Sequence, residues 1–167
     1  MLLALFTLTQ KEARNVLLVI NETGRKLICR DDTIARGQRN ICTPEISAYT
    51  PTEEDSGEDL VPVGLYVYSK SSHFFGSLFG LSFECARPRR IDGIAEYFSI
   101  SMHCPNALPI NSILLSGDCN PSTAMGRLRR NCIEESSVDL LDVHVQARRA
   151  KDSGSTNLGV CSVTEDL

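Results

Sequence analysis

Apolar residues in this chain come in short bursts separated by turn-forming residues, at strand spacing rather than helix spacing. Val16-Leu17-Leu18-Val19-Ile20 is a continuous apolar run closed by Asn21-Glu22-Thr23-Gly24, and Leu27-Ile28-Cys29 opens another, a pattern that predicts a β-hairpin. Residues 63–68, 77–85 and 94–102 read as three more strands. In the last of them Phe98, Ile100 and Met102 alternate with Ser99 and Ser101, so one face is core. Ser112-Ile113-Leu114-Leu115-Ser116 follows a segment held by Pro105 and Pro109, which must be an edge or loop because proline donates no ladder hydrogen bond. Asn120-Pro121-Ser122-Thr123 supplies cap and first-turn residues for a helix reaching Arg130. Residues 138–147 alternate again, with Leu141, Val143, Val145 and Ala147 against Asp142, His144 and Gln146, and a turn at 152–155 leads to a closing strand at 158–163. Many short strands with so little helix, and no internal repeat, predict an all-β fold: a single-domain β-sandwich with one or two short helices.

Residues 43–62 break the pattern. They hold Pro44, Pro51, Pro62 and Gly57, with Glu45, Glu53, Glu54, Asp55, Glu58 and Asp59, and read as a long, mobile, acidic surface loop inserted in a sandwich spanning 14–167. A length of 167 residues fits one domain, and 42% apolar residues suffice for its core. The formal net charge of −4 argues against nucleic acid as a partner. Basic residues nevertheless cluster at Arg87, Arg89 and Arg90, at Arg127, Arg129 and Arg130, and at Arg148, Arg149 and Lys151. Folding gathers such clusters into one patch or leaves them as scattered solvated charges.

No apolar stretch reaches the roughly 18–20 residues of a transmembrane helix. Residues 1–13 form a short apolar leader in which Leu2, Leu3, Leu5 and Phe6 either insert shallowly in a membrane interface or cover one end of the sandwich. As a helix this leader would be roughly 20 Å long, short of the roughly 30 Å hydrocarbon core. The seven cysteines lack a CxxC pair, so no metal site is expected and disulfides are the better use, with at least one thiol left over because the count is odd. Short separation makes Cys29–Cys42 and Cys119–Cys132 the easiest pairings. Asn21-Glu22-Thr23 fits a glycosylation acceptor and points to a secreted protein. Neither a catalytic residue nor a cofactor is expected: His73, His103 and His144 sit in unrelated contexts, and no phosphate loop, nucleophile elbow or zinc helix is present.

Four landmarks, in order, resemble the actinoporin-like pore-forming proteins: Arg14-Asn15-Val16 to Gly24, Gly37 followed by Pro44, Tyr68-Ser69-Lys70 with residues 76–83, and Phe98-Ser99-Ile100-Ser101. The resemblance covers residues 14–163 and implies a β-sandwich that reads a phosphocholine headgroup with an aromatic loop and helix tyrosines, then inserts an N-terminal helix. A ring cage of that kind works by cation–π attraction. This chain departs from it, having no tryptophan and, in the aromatic loop's place, His103, Pro105, Leu108 and Ile110 as the expected membrane contacts. The tyrosine positions of the family fall near Met125, Arg129 and Arg130. With Ser99 and Arg127 these make a headgroup site suited to phosphate rather than choline. The expectation is thus a membrane-binding, pore-forming protein, monomeric in solution and oligomeric on an anionic membrane. The alternative is a non-lytic module of the same fold that recognises a glycan or a protein.

Overall fold

The computed structural model describes residues 13–51, 60–70, 76–86, 96–105, 111–128, 133–150 and 156–165. Eleven strands and one helix are described: β1 (Ala13–Glu22), β2 (Lys26–Arg36), β3 (Gln38–Cys42), β4 (Glu45–Ile46), β5 (Val63–Ser69), β6 (Ser77–Ala86), β7 (Glu96–Cys104), β8 (Ser112–Ser116), α1 (Pro121–Leu128), β9 (Glu135–Asp139), β10 (Val143–Arg149) and β11 (Asn157–Glu165). They form two layers, a six-stranded sheet in the order β3-β5-β1-β11-β10-β9 and a five-stranded sheet in the order β4-β2-β6-β7-β8. The expected β-sandwich with a short helix is what the chain adopts.

Strand periodicity explains the interior. Side chains two apart share a face, so Leu17 and Val19, Tyr66 and Tyr68, and Val143, Val145 and Ala147 point inward from the first sheet. They meet Phe79, Leu81 and Phe83, and Phe98, Ile100 and Met102, from the second. Each such side chain contributes roughly 1.5–3 kcal/mol by leaving water. Phe83 stacks on Phe98 at 5.0 Å and takes Tyr66 edge-on at 5.5 Å, which locks the two layers in one relative position. On the outer face of the six-stranded sheet Val16 and Val67 form a separate small cluster with Ile41, Leu65 and Leu158.

The structure corrects three sequence expectations. First, β1 and β2 are not a hairpin: β1 lies between β5 and β11 in one sheet, and β2 lies between β4 and β6 in the other. Both strands have an apolar face, and placing Leu17 and Val19 opposite Leu27 across the interior buries all three. Second, residues 43–62 are not wholly loop. Glu45–Ile46 is a strand on β2, and Ile46 is core. Residues 52–59 lie outside the described residues. Third, the strand read over 138–147 is two, β9 and β10, with a tight connection in which Leu140 N–H donates to Val143 C=O at 2.9 Å and Leu141 projects into solvent.

Helix α1 begins where its cap predicts. The Asn120 carboxamide accepts from Ser122 N–H at 3.0 Å, and Pro121 occupies the first helical position, where no donor is needed. The helix lies on the outer face of the five-stranded sheet, with Ala124 and Leu128 against Leu114 and Ile133. Gly80 permits this closeness, because a Cβ there would stand 2.6 Å from Pro121 Cβ. Gly37, joining β2 to β3, has φ +113° and needs the freedom of glycine.

Candidate functional site

The residues expected to form a headgroup pocket are Ser99, Met125, Arg127, Arg129 and Arg130, and the structure does not assemble those it describes into an open site. Ser99 points to the outer face of β7 but is fully buried, its hydroxyl donating to Asp118 Oδ1 at 3.5 Å. Asp118 is tied further by Ser116 Oγ at 2.9 Å and by Asn120 N–H at 2.9 Å. A carboxylate held there repels phosphate, which corrects the expectation of a phosphate contact at Ser99. Met125 is also corrected: it lies on the sheet-facing side of α1, buried at 5% exposure and in van der Waals reach of Gly80. Arg127 is exposed on the opposite side of the helix, in its last turn. Arg129 and Arg130 lie outside the described residues, as do Leu108, Ile110, Leu2, Leu3, Leu5 and Phe6. His103 and Pro105 are half-buried at the end of β7.

What the fold does bring together is an excess of basic residues at one end of the sandwich and of carboxylates at the other. The registers fix which strand ends coincide. Ala13 of β1 opposes Ser69 of β5, Gln38 of β3 also opposes Ser69, and Arg149 of β10 opposes Gly159 near the start of β11. In the other sheet Arg36 of β2 opposes Leu78, while Ser77 opposes Cys104. Among the described residues this end carries Arg36, Arg39, Lys70, Arg148 and Arg149, with Asp32, Glu134 and Glu135 as its carboxylates. Arg149 is partly neutralised, donating to Asn111 C=O at 3.0 Å and standing 3.8 Å from Glu134. Arg39 pairs with Asp32 at 3.0 Å. Arg148 is exposed.

The opposite end is acidic. Arg25, between β1 and β2, is gripped by three carboxylates: Glu96 at 2.6 Å, Glu165 at 2.7 Å and Asp142 at 3.3 Å. Glu96 comes from the five-stranded sheet and Glu165 from the six-stranded one, so one guanidinium fork fastens both layers. Burial disfavours the Arg25 charge. The pull of Glu165 and Glu96 and the hydrogen bonds to Asp142 and Glu165 outweigh that cost and hold it protonated beyond the ordinary arginine value. Glu22 adds exposed negative charge nearby, and the exposed Glu45 pairs with Lys26 at 3.0 Å. Arg87, Arg89 and Arg90 lie outside the described residues.

Asn21, expected to carry a glycan, is instead a structural residue. It is fully buried, its Nδ2 donates to Arg25 C=O and Ser47 C=O at 2.7 Å each, and its Oδ1 accepts from Thr23 N–H at 3.2 Å and Thr23 Oγ1 at 2.7 Å. Both protons of the nitrogen a glycan would occupy are engaged, which corrects that expectation. Of the expected cysteine pairs, Cys29 and Cys42 are free thiols that both pack on the main core, and Cys29 N–H donates to the C=O of Pro44, two residues beyond Cys42, at 2.9 Å. Cys119 is exposed and Cys132 lies outside the described residues. No helix of the described residues is long and apolar enough to cross a membrane, and no cluster of metal-ligating side chains occurs among them.

Neither a family model nor a curated protein matches the chain. Solved structures do. The crystal structure of the lipid binding protein Nakanori superposes with a TM-score of 0.71 and 11% sequence identity, covering 96% of this chain and 76% of that one. At that identity the likeness shows a common fold. Sequence reasoning missed Arg36 and Arg39 because each stands alone in the chain, and only the strand registers bring them to the same end as Lys70 and Arg148.

Proposed function

We propose that this chain is a peripheral membrane-binding protein of the actinoporin-like kind, which docks its basic end on an anionic lipid surface. The observation that carries the reading is the gathering of Arg36, Arg39, Lys70 and Arg148 at one end of a sandwich whose other end is richer in carboxylates. An anionic leaflet attracts clustered Lys and Arg side chains without a pocket, so the closing of the Ser99 region by Asp118 is no obstacle. The lipid-binding character of Nakanori, on the same fold, agrees with this choice of partner. Recognition is then of surface charge rather than of one headgroup in an aromatic cage, which suits a chain without tryptophan.

Co-sedimentation with vesicles of phosphatidylcholine alone, and of phosphatidylcholine with phosphatidylserine, tests the reading. The protein is expected to pellet with the mixed vesicles and not with the neutral ones, and the double variant Lys70→Glu, Arg148→Glu is expected to stay in the supernatant. Equal pelleting with both vesicles, or none with either, would defeat the proposal. Pore formation is the finer question within it. Dye release from the same mixed vesicles under conditions of full binding separates a lytic oligomer from a non-lytic binder, and we expect binding without release because the aromatic anchors of the family are missing.

A further inference from the structure

We infer that Cys29 and Cys42 are a thiol pair that closes into a disulfide across the sandwich, tying the edge strand of one sheet to the other sheet. Cys29 lies on β2 in the five-stranded sheet, and Cys42 ends β3, the edge of the six-stranded sheet. Both are free thiols that pack half-buried on the main core. The backbone holds them there. Cys29 N–H donates to Pro44 C=O at 2.9 Å, Thr43 N–H donates to Leu65 C=O at 3.2 Å, and Tyr66 Oη donates to Thr43 C=O at 2.8 Å. The segment just after Cys42 is thus pinned to both layers. A register shift between Cys29 and Asp31 marks an irregularity in β2 next to the first thiol.

The reaction is thiol–disulfide exchange with a small-molecule disulfide such as oxidised glutathione. One protein thiolate attacks the small disulfide, its sulfur–sulfur bond breaks, and the departing thiolate takes up a proton. The second cysteine then attacks the mixed disulfide and expels the other small thiol, so two protein thiols are oxidised as one small disulfide is reduced. Cys42 is the entry point. Burial, then Asp32, raises its thiol, but Cys29 and the Arg39 guanidinium draw it back, whereas burial, Cys42 and the Asp32 and Asp31 carboxylates push Cys29 up to about 12. Closure is therefore slow at neutral pH and quickens as pH rises. The fully buried Cys85 and Cys161 are shielded from such a reagent.

The experiment treats the full chain with oxidised glutathione at pH 8, alkylates remaining thiols and digests with trypsin, which cuts between the two cysteines at Arg30, Arg36 and Arg39. Mass spectrometry is expected to find the Cys29 and Cys42 peptides linked. Oxidation should raise Tm by roughly 5–10 °C, as closing a loop of this length implies, and a reductant should reverse the rise. Cys42→Ser should abolish both effects. The inference is overturned if both cysteines are recovered unlinked, if glutathione remains on Cys42, if Cys42 is joined to another cysteine, or if the linked protein melts where the reduced one does.

Discussion

Single side chains in this protein carry more than their sequence context announces. Asn21 sits in a perfect glycosylation tripeptide and is nevertheless the bracket that turns the chain from one sheet to the other, joining the turn at Arg25 to the segment at Ser47. Replacing it with alanine leaves two carbonyls and two Thr23 donors without their partner, at a cost of about 2–4 kcal/mol measurable by urea unfolding. Protein made through a secretory pathway should, for the same reason, show no mobility shift on treatment with an amidase that strips N-linked glycans. Glu84 gives a second, pH-dependent effect. The Arg30 guanidinium donates to it at 2.6 Å and holds its carboxyl below the usual 4.5, against a small opposing effect of burial and with help from the Tyr97 hydroxyl. A carboxyl lowered on folding stabilises the native state above the unfolded value, and that contribution disappears as pH falls through the folded one. The urea midpoint of wild type should therefore exceed that of Glu84→Gln at pH 7, and the gap should close towards pH 3. A gap that is constant across this range would show that the pair is not the cause.

The elements were legible in the sequence in proportion to how apolar they are. Strand β8 was readable to the residue and β5 and β6 to within one, because continuous apolar runs between turn residues have few other solutions. Strand β3 was not, since Gln38, Arg39 and Asn40 are exposed and the strand exists by pairing with β5 rather than by its own propensity. Sheet partnership was equally hidden. The parallel pairing of β1 with β11 joins Asn15 to Asn157, and nothing local in either strand specifies it. The docking of α1 was half legible. Its cap was written in Asn120 and Pro121, but the seat it requires is Gly80, far away in sequence. A methyl group at Gly80 would meet Pro121 Cβ at 2.6 Å and Ser101 Oγ at 2.9 Å, so Gly80→Ala must lift the helix from the sheet. We expect a loss of about 1–3 kcal/mol by chemical denaturation, with the Ala124 and Leu128 contacts weakened together. An unchanged midpoint would mean that the helix is held elsewhere.

For the molecule as a whole the decisive property is the segregation of charge, which a net value of −4 conceals. The candidate site was accordingly the least legible part of the sequence: Ser99 was visible, whereas its closure by Asp118 and the gathering of basic residues at the far ends of several strands exist only in the fold. A uniformly acidic protein should avoid an anionic membrane, and a polarised one can approach it by its basic end. Charge variants at the two ends distinguish these cases. Lys70→Glu with Arg148→Glu makes the molecule more acidic at the basic end, and Glu22→Lys with Glu45→Lys makes it more basic, by the same amount, at the acidic end. If net charge governs adsorption, the second pair should strengthen vesicle binding about as much as the first weakens it. If the basic end is the docking surface, the first pair should abolish binding and the second should change it little, because the reversed charges stay more than a Debye length of ~10 Å from the lipid in ~0.1 M salt. Binding should also be lost as salt is raised to ~1 M, where that length contracts to ~3 Å. Symmetric responses of the two variants, or binding that persists in high salt, would refute a docking end defined by charge.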